Sequence, residues 1–139
     1  MKPIQKEEQK MTTDAFNRGF GAFVRGFVAC GFWVSHADEA GEEMLDKYFD
    51  ISDLHPDSKE LIKADCEKFY NENYDLMLEA NHDFALHGGD FWLTRCGHGV
   101  GFWDRGYEEI GDQLTEKTKE YPECHLYIGD DGKIHYSAG

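Results

Sequence analysis

GGDFWLTRCGHGVGFWDRG, residues 88–106, sets two Trp-bearing apolar runs on either side of a glycine-rich centre, Cys96-Gly97-His98-Gly99. Residues 90–95 and 100–104 have the aromatic and β-branched content of strands, and the centre has the composition of a tight turn. The stretch is therefore predicted to fold as a β-hairpin. Counting the turn as two residues or as four leaves the same register, with Trp92 opposite Trp103, Leu93 opposite Phe102 and Asp90 opposite Arg105. Directly opposed residues in an antiparallel pair interact, so this register places an aromatic pair beside an ion pair.

Downstream, residues 107–120 read as a helix with Ile110 and Leu114 inward and Pro122 beyond its end. Residues 125–128 and 133–136 form a second predicted hairpin across Asp130-Asp131-Gly132, in which Gly132 supplies the left-handed residue of a three-residue loop. Ile128 then faces Ile134, and Leu126 faces Tyr136. Upstream, Pro56 suits the first turn of a long helix capped by Asp53 or His55. Ile62, Cys66, Phe69, Leu76 and Ala80 make its apolar stripe, flanked by Tyr70 and Met77. Gly88-Gly89 argue against any helix running on into the motif.

Residues 35–54 have no steady period and read mainly as loop, with one short helix around 42–47. The first helix is predicted to start at Thr12 or Thr13, because Phe16, Phe20, Phe23, Val24 and Phe27 share one helical face. Gly19, Gly21 and Gly26 each cost about 1 kcal/mol within a helix and mark places where another element comes close. Gly31 suggests a stop or a bend. The expected architecture is a flexible tail over 1–11 and a single α+β domain over 12–139, with about three helices and two antiparallel β-hairpins forming a small sheet.

The chain has 139 residues and a net charge of −14, from 28 acidic and 14 basic side chains. Ten Phe, seven Tyr and three Trp can build a core and exclude a disordered acidic tail. No apolar stretch of about 18 residues occurs, and the first residues lack a signal peptide's apolar region, so a soluble, unexported protein without membrane contact is expected. The four cysteines, at 30, 66, 96 and 124, form no CxxC pair and are expected as free thiols in a reducing cytoplasm.

Charge is uneven along the chain: residues 1–37 hold five basic and three acidic groups, whereas residues 38–83 hold four and 15. Asp57, Glu60, Asp65, Glu72, Asp75 and Glu79 are the candidate acidic surface. Such a surface attracts a basic protein and disfavours direct nucleic-acid binding. Imitation of duplex DNA by the 56–80 helix falls short, because about 36 Å of duplex carries roughly 21 phosphates and the helix has a net charge of −4.

Within the motif, Trp92, Arg95, His98, Trp103, Asp104 and Arg105 are the candidate binding residues, since turn glycines let a ligand approach the backbone. A catalytic role would fall to His98 and Asp104, although no nucleophile is evident beyond Cys96. A divalent metal would recruit His82, His87 and Asp90, but the two histidines would stand about 140° apart on a helix. Zinc on Cys96, His98, Cys124 and His125 would need ligand spacings tighter than structural zinc loops use. Residues 129–132 are too short for a calcium loop, and no phosphate-binding or dinucleotide fingerprint occurs. No cofactor is expected.

The series Asp90-Phe91-Trp92-Leu93-Thr94-Arg95, Gly97-His98-Gly99 and Gly101-Phe102-Trp103-Asp104-Arg105-Gly106 resembles a family of small proteins encoded by bacteriophages and some bacteria. The resemblance extends to residues 45–48, Asp53, residues 64–66 and residues 127–132, and departs from the pattern at Cys96, where Asn usually stands. It implies a phage or mobile-element origin and a host cytoplasm, and it brings no reaction with it. The expectation is a non-enzymatic phage accessory protein, an inhibitor or DNA-mimic-like modulator that engages a basic host or phage protein. The alternatives are a small metal- or nucleotide-binding hydrolase using His98, Arg95 and Asp104, and a structural or self-associating protein forming a homodimer.

Overall fold

Helical order dominates the computed structural model, which describes residues 3–36, 43–97 and 99–139, with side chains from residue 13 onward. Its elements are α1 (Pro3–Val34), α2 (Pro56–Ala80), α3 (Phe84–Arg95), α4 (Glu109–Thr118), and a hairpin of β1 (Cys124–Ile128) and β2 (Ile134–Ala138). Single 3-10 turns cover Leu45–Lys47, Ile51–Asp53 and Phe102–Asp104. Among the described residues this is a mostly helical α+β arrangement with four helices and one two-stranded antiparallel sheet. No described helix is long and apolar enough to cross a membrane.

The hairpin expected over 90–104 is absent, and its first half is instead the end of α3. Asp83 caps that helix, its carboxylate accepting the Leu86 N–H at 3.1 Å. Phe84, His87, Gly88, Phe91, Trp92 and Arg95 then recur at helical spacing, and all six are buried. Consequently Trp92 is enclosed while Trp103 is 41% exposed, so the two do not face each other across a ladder. Phe102 is brought back by the 3-10 turn, where its N–H donates to Thr94 Oγ1 at 3.3 Å and its ring stacks on Phe69 at 5.9 Å.

Glycine explains how α3 fits. A Cβ on Gly26 would run into the Ala85 carbonyl of α3, and a Cβ on Gly88 would run into the Phe23 carbonyl of α1. The two helices therefore touch backbone to backbone, each lending the other a glycine. Gly19 makes room for side chains instead, the Tyr70 hydroxyl of α2 and the Phe84 ring of α3. The expectation of close approach holds at Gly19 and Gly26 but not at Gly21, where a Cβ would meet only the Arg25 side chain of α1 itself, and Gly31 does not stop the helix, which runs on to Val34. Helical backbone begins at Pro3 rather than at Thr12 or Thr13.

The core forms where these faces meet. Phe23 and Phe27 of α1, Phe69 of α2 and Phe91 and Trp92 of α3 are all within 2% of complete burial, and Phe69 stacks on Phe91 with ring centres 4.2 Å apart. Such aromatic contacts add about 0.5–1.5 kcal/mol each beyond their buried area. His55 caps α2, its Nδ1 accepting the Asp57 N–H at 3.1 Å. Asp53 instead completes a capping box around the preceding 3-10 turn. The second hairpin keeps the expected register, with Ile128 opposite Ile134, Leu126 opposite Tyr136, and Gly132 at φ 77°. It docks on the start of α2 through His55 N–H to the Ile134 carbonyl and Tyr136 N–H to Ser58 Oγ.

Candidate functional site

Arg95 ends α3 pointing inward, its side chain fully buried. Nε donates to the Pro122 carbonyl at 2.9 Å, and Nη1 donates to Asp65 at 3.1 Å and to the Tyr136 hydroxyl at 2.8 Å. Tyr136 in turn donates to the same Asp65 oxygen at 2.6 Å. The guanidinium lies over the rings of Phe91 and Tyr121, 5.2 and 5.4 Å from their centres. One arginine thus ties α3 to α2, β2 and the segment before β1. Because Nε and Nη1 are committed to these internal acceptors and the side chain is enclosed, Arg95 is removed from the expected ligand surface. Asp65 is likewise removed from the exposed acidic set.

Asp90 is fully buried and accepts two donors from Arg105, Nε at 3.0 Å and Nη2 at 2.7 Å. The ion pair expected from the hairpin register therefore exists, reached through a helix and a 3-10 return. With its carboxylate so engaged, Asp90 does not join His82, which is exposed, or His87. The structure brings no three such ligands together among the described residues. Cys96 and Cys124 do meet, with sulphurs 3.6 Å apart, but His125 is exposed and His98 lies outside the described residues.

His87 is completely buried, and its Nε2 lies 3.0 Å from the Met77 carbonyl and 2.9 Å from that of Asn81. Two carbonyl neighbours require a hydrogen on Nε2, which leaves Nδ1 as the buried nitrogen with no partner. Burial pushes the imidazole pKa below 6.5, against the pull of the two carbonyls, Asp90 and Asp83. Below that value the unfolded chain takes up the proton first, so stability is full above pH 6.5 and declines as pH falls towards the folded-state pKa. We expect the melting temperature to drop on acidification from pH 6.5, with a shallower slope in His87→Gln. Equal slopes in the two proteins would remove His87 as the cause.

Trp103, Asp104 and Arg105 surround the outward turn and are exposed, whereas Trp92 packs edge-on against Phe27 with centres 5.0 Å apart. The binding set expected from the motif is thus split. Trp92 and Arg95 belong to the interior, Trp103 and Asp104 to the surface, and Arg105 bridges the two.

Comparison with known protein families, curated proteins and solved structures finds no match to this chain.

The acidic residues do form a surface. Asp57, Glu60, Glu72, Asp75 and Glu79 are all exposed, and at 100° per residue they fall within about 120° of the circumference of α2. The opposite arc holds buried Ile62, Cys66, Asn73 and Met77. Helix α4 packs alongside and widens this face. Leu76 of α2, Glu109, Asp112 and Glu116 of α4, and Glu120 just beyond its end line one cleft of about 600 Å³, with Lys117 as the cation in its lining. Lys119 pairs with Glu116 at 2.8 Å and Lys117 with Glu120 at 3.8 Å, which balances part of that charge. Sequence reasoning placed the acid in the middle third and missed the contribution of α4, although four acids at positions 109, 112, 116 and 120 repeat at helical spacing.

Proposed function

We propose that this chain is a non-enzymatic binding protein, a phage accessory protein that works in the host cytoplasm by engaging a basic protein through the α2–α4 face. The supporting observation is the cleft between those helices, where apolar Leu76 lies among four carboxylates. Lys and Arg lay their aliphatic stems on apolar surface while keeping the charged head outside, so such a cleft fits their side chains. The phage origin rests on the resemblance of the 90–106 motif. The hydrolase alternative is weakened because its arginine is committed to Asp65, Tyr136 and Pro122. Self-association through the Phe stripe of α1 is weakened too, because Phe16, Phe20, Phe23 and Phe27 are already in contact with rings of α2 and α3.

The test is retention of host proteins on the immobilised chain at low and high salt, beside the triple variant Asp75→Lys/Glu79→Lys/Asp112→Lys. All three positions are exposed, so the fold should survive, which circular dichroism checks. The expected result is a partner held at low salt, released as screening rises, and lost in the variant. A partner equally retained by the variant, or none at either salt, would sink the proposal.

A further inference from the structure

Cys96 follows the last turn of α3, and Cys124 opens β1. Where these termini meet the two sulphurs are 3.6 Å apart, and Cys96 Sγ is also 3.2 Å from the Cys124 carbonyl oxygen. Neither side is loose. Arg95 holds the end of α3 to the Pro122 carbonyl, two residues before Cys124, and the register with β2 holds β1. The pair is asymmetric, since Cys124 is 2% exposed while Cys96 is half-buried. Both line a cleft of about 250 Å³ together with His36, Trp92, Glu123 and Leu126. A small molecule in that cleft meets Cys96 first, with Cys124 behind it. The sulphurs must close by about 1.5 Å to reach bonding distance, a movement within reach of a side-chain rotation and a small backbone shift.

We propose that Cys96 and Cys124 are a redox-active dithiol, at which a small hydroperoxide oxidises the chain to an intramolecular disulfide.

The nucleophile in such a step is the thiolate. The Cys124 thiol can donate to the Cys96 sulphur, and this bond is the main cause that lowers the Cys96 pKa, with Arg95 adding to it. The same bond, with burial, raises Cys124 and keeps it a thiol. Cys96 attacks one peroxide oxygen and the O–O bond breaks. The other oxygen takes a proton and leaves as water from hydrogen peroxide, or as the alcohol from an organic hydroperoxide, and Cys96 becomes a sulphenic acid. The Cys124 sulphur then displaces the hydroxyl from the Cys96 sulphur. An S–S bond forms, and that hydroxyl leaves as water with the Cys124 proton. The two thiols have lost two electrons, and the peroxide has gained them. The remaining cysteines are poorly placed to compete, because Cys66 is fully buried and burial pushes the Cys30 thiol up to about 11.

The test treats the full chain with one equivalent of hydrogen peroxide, counts free thiols, and maps a non-reducing digest by mass. Two of the four thiols are expected to disappear, with a single cross-linked peptide joining Cys96 to Cys124 and a mass lower by two hydrogens. Reduction by dithiothreitol should reverse both changes, and the oxidised form should melt at a higher temperature. In Cys124→Ser the sulphenic acid should persist on Cys96 and be trapped by a 1,3-dione, and in Cys96→Ser no thiol should be lost. Four surviving thiols in the unsubstituted chain, a cross-link that includes Cys30, or a disulfide between two chains would each overturn the proposal. The digest of the unsubstituted chain is decisive by itself, because it depends on no variant folding.

Discussion

Gly88→Ala is expected to destabilise the chain by about 2–4 kcal/mol, whereas Gly89→Ala, one residue further along the same helix, should stabilise it by up to about 1 kcal/mol. At Gly88 the new methyl would collide with the Phe23 carbonyl oxygen and lie 2.8 Å from the Phe27 nitrogen. Both atoms belong to the backbone of α1, so no side chain can swing aside. Relief requires α1 and α3 to separate, which opens the contacts of Phe23 and Phe27 with Phe91. Dispersion falls steeply with such a gap, and the loss outweighs the roughly 1 kcal/mol that Ala gains over Gly in a helix. At Gly89 the nearest neighbour of a methyl would be the Cys30 Cβ at 3.6 Å, an ordinary contact, so only the propensity gain remains. Urea denaturation followed by circular dichroism measures both. Two variants that shift the midpoint in the same direction would show that the helices do not meet backbone to backbone at Gly88.

Those two glycines also explain why the motif misleads a reader of the sequence. Local chemistry counts Gly88-Gly89 against a helix, and only the presence of α1 reverses the argument. Of the eight buried positions on α3, Phe84, Phe91, Trp92 and Leu93 are apolar, while His87, Gly88, Asp90 and Arg95 are buried by virtue of partners elsewhere in the chain. With half its inward face written in residues that depend on partners, the helical period is obscured, and the aromatic content of 90–95 reads as strand. The second hairpin was legible because its alternation, its glycine turn and its register are all local. Helix α2 was legible from Pro56 to Ala80 because its stripe is made of apolar groups and its start is marked by proline. The Asp90–Arg105 pair was anticipated through a ladder that does not exist. The contact was correct because Phe102 returns to the side of Thr94 in the helical fold, as the ladder would also have required. Which candidate residues turned inward was not legible, since Arg95 and Asp104 look alike as charges beside aromatic residues and differ only in what α2 and β2 offer them.

Arg95→Ala is expected to lower stability by about 3 kcal/mol, near the lower end for breaking a buried ion pair, because the Asp65 side chain retains 30% exposure and can recover water. The substitution strips a donor from the Pro122 carbonyl and from the Tyr136 hydroxyl, and it empties the space over the Phe91 and Tyr121 rings. Arg95→Lys separates charge from geometry. An ammonium is a point donor on a flexible stem and cannot span Asp65, Tyr136 and Pro122 as a planar fork does, so the loss should be reduced but not removed. Arg95→Met restores the volume of the stem without the charge and should fall between Ala and Lys if packing over the rings carries part of the effect. The same series separates the two roles that the motif suggests for this residue. A surface arginine held ready for a ligand would tolerate all three changes within about 0.5 kcal/mol, as exposed positions generally do. An unchanged denaturation midpoint in Arg95→Ala would therefore return Arg95 to the surface, and with it the hydrolase reading that its burial now weighs against.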